Sequence, residues 1–268
     1  MVADGRALTI LGVHKRDAPN IGDMAASPLL YRTLGAPGDR EILGDAKQPP
    51  EDVRPDVVVF GGGAIAKYAP RVRRRYPNSL LIAWGVGFTF AGRRPVRVWS
   101  HLFYRTGFAL WGQRDHTAWL GYVPCASCLH PLLADPPRPQ HDVVAFGHET
   151  LSPLSEECAR LSVPYMSNLD PGGVDAAIAF LASGSTVVSS SFHGAYWGTL
   201  LGRRTAMIPF GAKFHSLRDR PPAVASVEEG LRRASAFPGA LGNALAVTRR
   251  FEHRVREAIA RRRENAGR

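Results

Sequence analysis

The run from Thr186 to Phe210 restricts the fold more than any other stretch, because it reads as a buried strand, a helix and a second buried strand. Thr186–Ser190 opens with the β-branched Thr186, Val187 and Val188 and closes in serines. His193 and Gly194 follow, a helix is expected over Gly194–Leu201, and Arg203 and Arg204 lead into the apolar Thr205–Pro209. Two strands joined by a helix pair in parallel, since a tight turn can only join antiparallel ones. Parallel strands are covered on both faces, which is why they appear as continuous apolar runs. The unit puts an imidazole at the carboxyl end of a strand and the amino end of a helix. That edge of an open α/β sheet is where ligands bind. Free N–H groups at a helix start also favour anions. An acid–base group beside a seat for an anion is the first functional expectation.

The same alternation runs along the chain. Further strand-length apolar runs are Ala7–Val13, Asp56–Phe60, Leu80–Gly85, Phe108–Trp111 and Asp142–Phe146. Helices are expected over Gly22–Leu34, Val174–Ser183 and Val227–Ala234. Strands alternating with helices define an α/β class with parallel sheets. The proline-rich Asp135–His141 reads as a linker, because proline removes donors and stiffens the chain. It predicts two Rossmann-like parallel-sheet domains, 1–138 and 139–268, facing a cleft, where ligands commonly bind. The tail, Ala244–Arg263, carries Phe251, Val255 and Ile259 at helical spacing and arginines on its other face.

Composition narrows the function classes. The chain has 268 residues, 45% of them hydrophobic, enough for a full core. Three cysteines are too few for a disulfide scaffold and point to a reducing compartment. No basic segment leads into an apolar run at the start, and no stretch nears the roughly 20 apolar residues of a membrane span. A cytoplasmic protein is expected. The net charge of +11 is almost all arginine, with lysine only at 15, 47, 67 and 213. Such charge favours anionic ligands and surfaces without specifying a fold. No zinc finger, aromatic-interleaved RNA motif or helix-turn-helix pattern accompanies it, so nucleic acid is not the expected partner.

Several short motifs fall at strand ends. Asn20-Ile21-Gly22-Asp23 follows the first strand. Gly22 lets the backbone approach a ligand, and Asp23 either accepts from hydroxyl groups or caps a helix. Gly61-Gly62-Gly63 follows Val57–Phe60 and either presents N–H groups to a ligand or makes a tight turn. It lacks the spacing of a dinucleotide fingerprint, and Gly85-Val86-Gly87 is similar and weaker. Arg114, after Phe108–Trp111, can clamp a carboxylate or phosphate with two donors, or pair with Asp115. Lys213 is a second anion ligand or a loop charge. Cys125-Ala-Ser-Cys128-Leu-His130 has metal-like spacing, but a structural zinc needs four ligands and no second cysteine pair exists, so small buried residues in a turn are expected. No metal and no cofactor are expected. The basic face of the tail is a solvated surface or a peripheral contact with anionic lipid.

Taken in order, Asn20–Asp23, Val57–Gly63, Ala83–Gly87, Arg114-Asp115, Val187–Gly194 with its Ser-x-His-Gly, Pro209 and Lys213 resemble the polysaccharide pyruvyl transferase family. The resemblance covers most of the chain. It implies an architecture similar to B-type glycosyltransferases, with an acceptor side in the N-terminal domain and a donor side in the C-terminal one. It implies transfer of pyruvyl from phosphoenolpyruvate to sugar hydroxyls of surface polysaccharides, such as exopolysaccharide, or their lipid-linked precursors, at the inner membrane face. On that chemistry His193 is assigned as general acid or phosphate partner and Asp23 as the residue that orients or deprotonates an acceptor hydroxyl. Arg114 and Lys213 are assigned as anion clamps, and Asn20, Gly22, Gly61, Gly62, Gly63, Ser191 and Gly194 as further substrate-binding residues. Many members carry arginine where this chain has Ser191, and others that decorate exopolysaccharide carry serine. Two rivals share the architecture: a nucleotide-sugar glycosyltransferase, for which Asp219 is the candidate ribose ligand, and a non-catalytic sugar- or anion-binding protein of polysaccharide assembly.

Overall fold

The structure is a computed structural model that describes residues 6–87, 105–116, 121–148, 154–169 and 172–266. It divides into two units: Met1–Asp17, Ala26–Ser127 and Ala246–Arg268 form the first, and Ala18–Ala25 with Cys128–Leu245 the second.

In the first unit the described strands are β1 (Thr9–His14), β2 (Arg40–Asp45), β3 (Val57–Gly61), β4 (Leu80–Val86) and β5 (Leu110–Gln113). They form one parallel sheet in the order β2-β1-β3-β4-β5. Alternate side chains of β3 explain its continuous apolar run. Val58 and Phe60 join Leu11, Ala83 and Val72 in one core. Val57 and Val59 join Ile10, Ile82 and Trp84 in another. The first core is covered by α2 (Ala69–Arg75), through Ala69 and Val72. The second is covered by the long C-terminal helix, Ala240–Ala266, through the expected stripe of Phe251, Val255 and Ile259. The Phe251 ring stands edge-on to Trp84 with centroids 5.2 Å apart. Burying a side chain of this size contributes about 1.5–3 kcal/mol.

Three arginines expected on the helix's solvated face are anchors instead. Arg256 donates to the Thr33 carbonyl and Arg262 to the Asn78 carbonyl, each at 2.6 Å, while Arg263 pairs with Asp39. Arg249, Arg250, Arg254 and Arg261 remain exposed.

In the second unit, α1 (Ile21–Met24) precedes β6 (His141–Gly147), α3 (Leu154–Leu161), β7 (Tyr165–Ser167), α4 (Gly173–Ala182), β8 (Gly184–Ser189), α5 (Phe192–Leu200), β9 (Arg204–Met207) and α6 (Val227–Arg233). Numbered in this order, the C-terminal helix is α7, and its first turns, Ala240–Leu245, belong to this unit. The strands pair in parallel in the order β7-β6-β8-β9. On one face Leu154 and Cys158 of α3 and Val227 of α6 meet Ala145 and Val188. Helix α5 rests so closely on the sheet that a Cβ on Gly194 would lie 2.3 Å from Ser189 Oγ and 2.6 Å from Phe146 Cδ1.

The expected α/β class, with parallel sheets flanked by helices, is the fold observed. Every expected strand is present, and β2 and β7 are additional. The helix expected over Gly22–Leu34 stops at Met24 and gives way to a 3-10 turn at Pro28–Leu30. Ser27, which precedes Pro28, is extended (φ −77°, ψ 132°), as a residue before proline prefers.

The boundary expected at 138/139 falls at Ser127/Cys128. The proline-rich strip is tied to the second unit: Arg203 donates to the carbonyls of Pro137 and Ala182, and the Gln140 and His141 N–H groups both donate to Ser183. Chain order also misassigns two segments. Residues 18–25 belong to the second unit, where Ile21 N–H donates to the Asn168 carbonyl at 3.0 Å, and 246–268 belong to the first. Among the described residues no helix is long and apolar enough to cross a membrane.

Candidate functional site

The strand order of the second unit singles out one place. β6 is the first strand, β7 lies on one side of it, and β8 and β9 lie on the other. Chain direction across the sheet therefore reverses between β6 and β8. At such a switch point the loops leaving adjacent strands part in opposite directions and open a crevice at the carboxyl ends. Those ends are level: Gly147 pairs with Ser167, Phe146 with Ser189, and Ser189 with Met207. Asn168, His148, Ser190 and Ile208 are thus the first residues beyond four aligned strands.

The serine run stitches this edge together. The Ser189 hydroxyl donates to the Phe146 carbonyl at 2.7 Å and accepts from Ser191 N–H at 3.0 Å. The Ser190 hydroxyl accepts from His148 N–H at 2.9 Å. Ser191, 3% exposed and extended, precedes α5, so the helix begins at Phe192 rather than Gly194. Gly194 is buried against the sheet, and its missing Cβ serves helix–strand packing rather than ligand approach.

His193 therefore lies in the first turn of α5. Its ring centroid is 5.3 Å from that of Trp197 and 5.5 Å from that of Phe192. Gly22 closes another side: a Cβ there would sit 1.9 Å from His193 Nδ1. The residue is only 5% exposed. A ring so held has one orientation and offers a ligand a small part of its surface. The Gly22 backbone is itself fixed. Its N–H donates to the Asn20 side chain at 3.0 Å, so Asn20, not Asp23, caps α1.

Beyond β9, Phe210 and the 3-10 turn Ala212–Ser216 bring Lys213 to the same edge. Lys213 Nζ stands 4.6 Å from the Phe210 ring centroid and 5.7 Å from that of Phe214. The His148 ring meets Phe210 edge-on at 4.8 Å. Burial and the Lys213 ammonium hold the His148 imidazole below its ordinary pKa, while the Asp23 carboxylate pulls it upward. One unit thus gathers Asn20, Gly22, Asp23, Ser191, His193, Gly194 and Lys213 with His148.

The first unit gathers the other expected residues. Its strand order also reverses, between β1 and β3, and Gly61–Gly63 leave β3 at that point. Gly62 and Gly63 are left-handed (φ 59° and 60°), which favours glycine. A Cβ on Gly61 would lie 2.6 Å from the Ala26 carbonyl oxygen, and one on Gly62 would lie 2.4 Å from Ala26 Cβ. Gly62 N–H donates to the Trp84 carbonyl, so the turn packs against its neighbours and that N–H is not offered to a ligand. Arg114 follows β5; its backbone N–H donates to Val86, and a Cβ on Gly87 would lie 2.4 Å from its Nε.

The Cys125–Cys128 motif is buried and forms no disulfide. His130 is committed elsewhere: its Nε2 lies 2.9 Å from Asp175, and its Nδ1 accepts from Leu132 N–H. Among the described residues no group of three or more His, Cys, Asp or Glu side chains is placed to hold a metal ion.

Sequence reasoning missed His148 and Asn168. His148 had a usable signal, because it directly follows the expected strand Asp142–Phe146 and Gly147. The strand-edge rule that selected His193 selects it too. Asn168 had none, since β7 is only three residues long.

No protein-family model and no curated protein matches the chain. A solved structure of a functionally uncharacterised protein from Klebsiella pneumoniae subsp. pneumoniae is similar to it at 12% identity, covering 75% of this chain and 83% of that one with a TM-score of 0.44.

Proposed function

We propose that this chain is an enzyme that moves a pyruvyl group from phosphoenolpyruvate onto sugar hydroxyls of a surface polysaccharide or its precursor, forming a ketal. One observation carries the reading: His193, Lys213 and Asp23 sit at the carboxyl edge of the second unit's sheet, around its switch point. The ordered motifs of the sequence point to the same family, whose architecture is similar to that of B-type glycosyltransferases.

Phosphoenolpyruvate carries a phosphate and a carboxylate, so its seat needs cations and N–H donors. Lys213 is assigned to that anion contact, and the ordered motifs assign Arg114 a bidentate anion contact as well. Transfer begins with a proton delivered to C3 of the enol, assigned to His193. C2 becomes electrophilic, a sugar hydroxyl attacks it, and phosphate leaves. A second hydroxyl then closes the ketal. Asp23 orients an acceptor hydroxyl. Positioned acid–base groups and fixed charges supply the rate enhancement. The exposed Arg249, Arg250, Arg254 and Arg261 fit peripheral contact with anionic lipid on the cytoplasmic face, where a lipid-linked acceptor would be met.

The test is phosphate release from phosphoenolpyruvate with a series of oligosaccharide and lipid-linked acceptors. Release that depends on acceptor is expected. Turnover of a nucleotide sugar instead would replace this reading with a glycosyltransferase. Binding without turnover of either donor would leave a sugar- or anion-binding protein. A thermal-shift screen separates these ligands first, since one at 100 times its Kd adds about 2.7 kcal/mol.

A further inference from the structure

We propose that His148 is the second acid–base residue of the site, accepting the proton of the attacking sugar hydroxyl. The assignment rests on the pyruvyl-transfer reading and adds a residue that no motif of the sequence singles out. It starts from topology. The crevice at a switch point is bounded by the loops leaving the two strands that flank it. Here those strands are β6 and β8, with Phe146 level with Ser189. His148 directly follows the first, and His193, in the first turn of α5, follows the second, so both residues stand at the carboxyl edge that bounds the crevice.

The surroundings of His148 suit a base. Its backbone is held by the Ser190 hydroxyl and its ring by Phe210, so its orientation is set before substrate arrives. It is half-buried, where His193 is almost wholly enclosed. Two charged groups act on it: Lys213 from the turn after β9 and Asp23 from α1. The ammonium and burial favour the neutral imidazole, the form that accepts a proton. The carboxylate limits that effect and stabilises the imidazolium once it forms. Lys213 also seats an anion, so a bound phosphate would offset its repulsion and make His148 more basic when donor is present.

The proton count closes over one turnover. His193 gives its proton to C3 of the enol. The first hydroxyl oxygen bonds to C2 and its proton passes to His148. The bond from C2 to the phosphate oxygen breaks, and His148 returns its proton to the leaving phosphate. The second hydroxyl bonds to C2 and its proton restores His193. Products are the ketal and inorganic phosphate, with both imidazoles in their starting forms.

The test uses the full chain. Imidazole C2–H signals are followed by NMR against pH in the wild type and in Lys213→Met, with His148→Gln supplying the assignment. His148 should titrate below a free imidazole, shift upward in Lys213→Met, and shift upward in wild type on adding inorganic phosphate. Phosphate release is then measured from about pH 5 to about pH 8, the span over which an imidazole titrates. Wild-type kcat should fall on acidification as His148 protonates. His148→Gln should remove that acid limb and lower kcat about a hundredfold while KM for phosphoenolpyruvate changes little. A variant that keeps the wild-type rate and acid limb overturns the proposal. If the wild type transfers no pyruvyl, the transfer reading fails and takes the catalytic role with it. In that case the NMR arm alone decides whether His148 belongs to an anion site: a ring that ignores both phosphate and Lys213→Met refutes that as well.

Discussion

Gly22 and His193 are in contact so close that a single methyl group on Gly22 would overlap the imidazole, at 1.9 Å from Nδ1. The ring cannot yield easily, because Phe192 and Trp197 confine it. Gly22→Ala should therefore displace the ring or α1, cost about 1–3 kcal/mol as overpacking does, and lower phosphate release at least tenfold, on the order of the loss expected when a reacting group is misplaced. Melting temperature and kcat are the measurements. Unchanged values for both would show that the ring is not held there.

His193→Gln tests the proton delivered to C3. Phosphate release should fall at least about a hundredfold, while far-UV circular dichroism stays that of the wild type. A folded variant with wild-type turnover would take His193 out of the reaction.

Arg114→Lys keeps the charge and loses the planar fork. Losing one hydrogen bond to a charged group costs about 1.5–3 kcal/mol, so KM for phosphoenolpyruvate should rise roughly ten- to hundredfold. Gly87→Ala should act in the same direction, because its Cβ would lie 2.4 Å from Arg114 Nε. A KM unaltered by either substitution would refute the assigned anion contact.

Stability should carry a signature of His148. In the unfolded chain its imidazole takes a proton near the ordinary 6.5, whereas in the fold it does so only at lower pH. Between those values the unfolded chain binds more protons, so stability is complete above 6.5 and declines as pH falls through the window. Urea midpoints for wild type should drop more on moving from about pH 7.5 to about pH 5.5 than those of His148→Gln. Equal drops would mean that the ring is not perturbed by the fold.

Cys158 should resist alkylation in the native protein. The residue is 1% exposed, and burial, helped by the neighbouring Glu157, pushes its thiol pKa up to about 11. At about pH 8 hardly any thiolate is present. Mass spectrometry after iodoacetamide treatment should find Cys158 labelled only once the chain is unfolded, and rapid native labelling would contradict its placement in the core of α3 and β6.

The sequence by itself determined the α/β class, the central strands and the long terminal helix, because each of these must bury an apolar pattern whatever surrounds it. Val57–Phe60 and Thr186–Val188 can only be strands covered on both faces, and the Phe251, Val255 and Ile259 stripe can only face a core. It also placed His193 and Arg114 at strand ends. The edge strand β2 escaped because its outer side needs no apolar residues, and β7 because three residues carry no period. The tertiary structure alone decided strand order, and with it the switch point that brings His148 beside the loop of His193. It also decided which unit owns Asn20–Asp23, since that depends on the hydrogen bond from Ile21 to Asn168. Local patterns record what a segment must bury; they do not record which distant segment buries it.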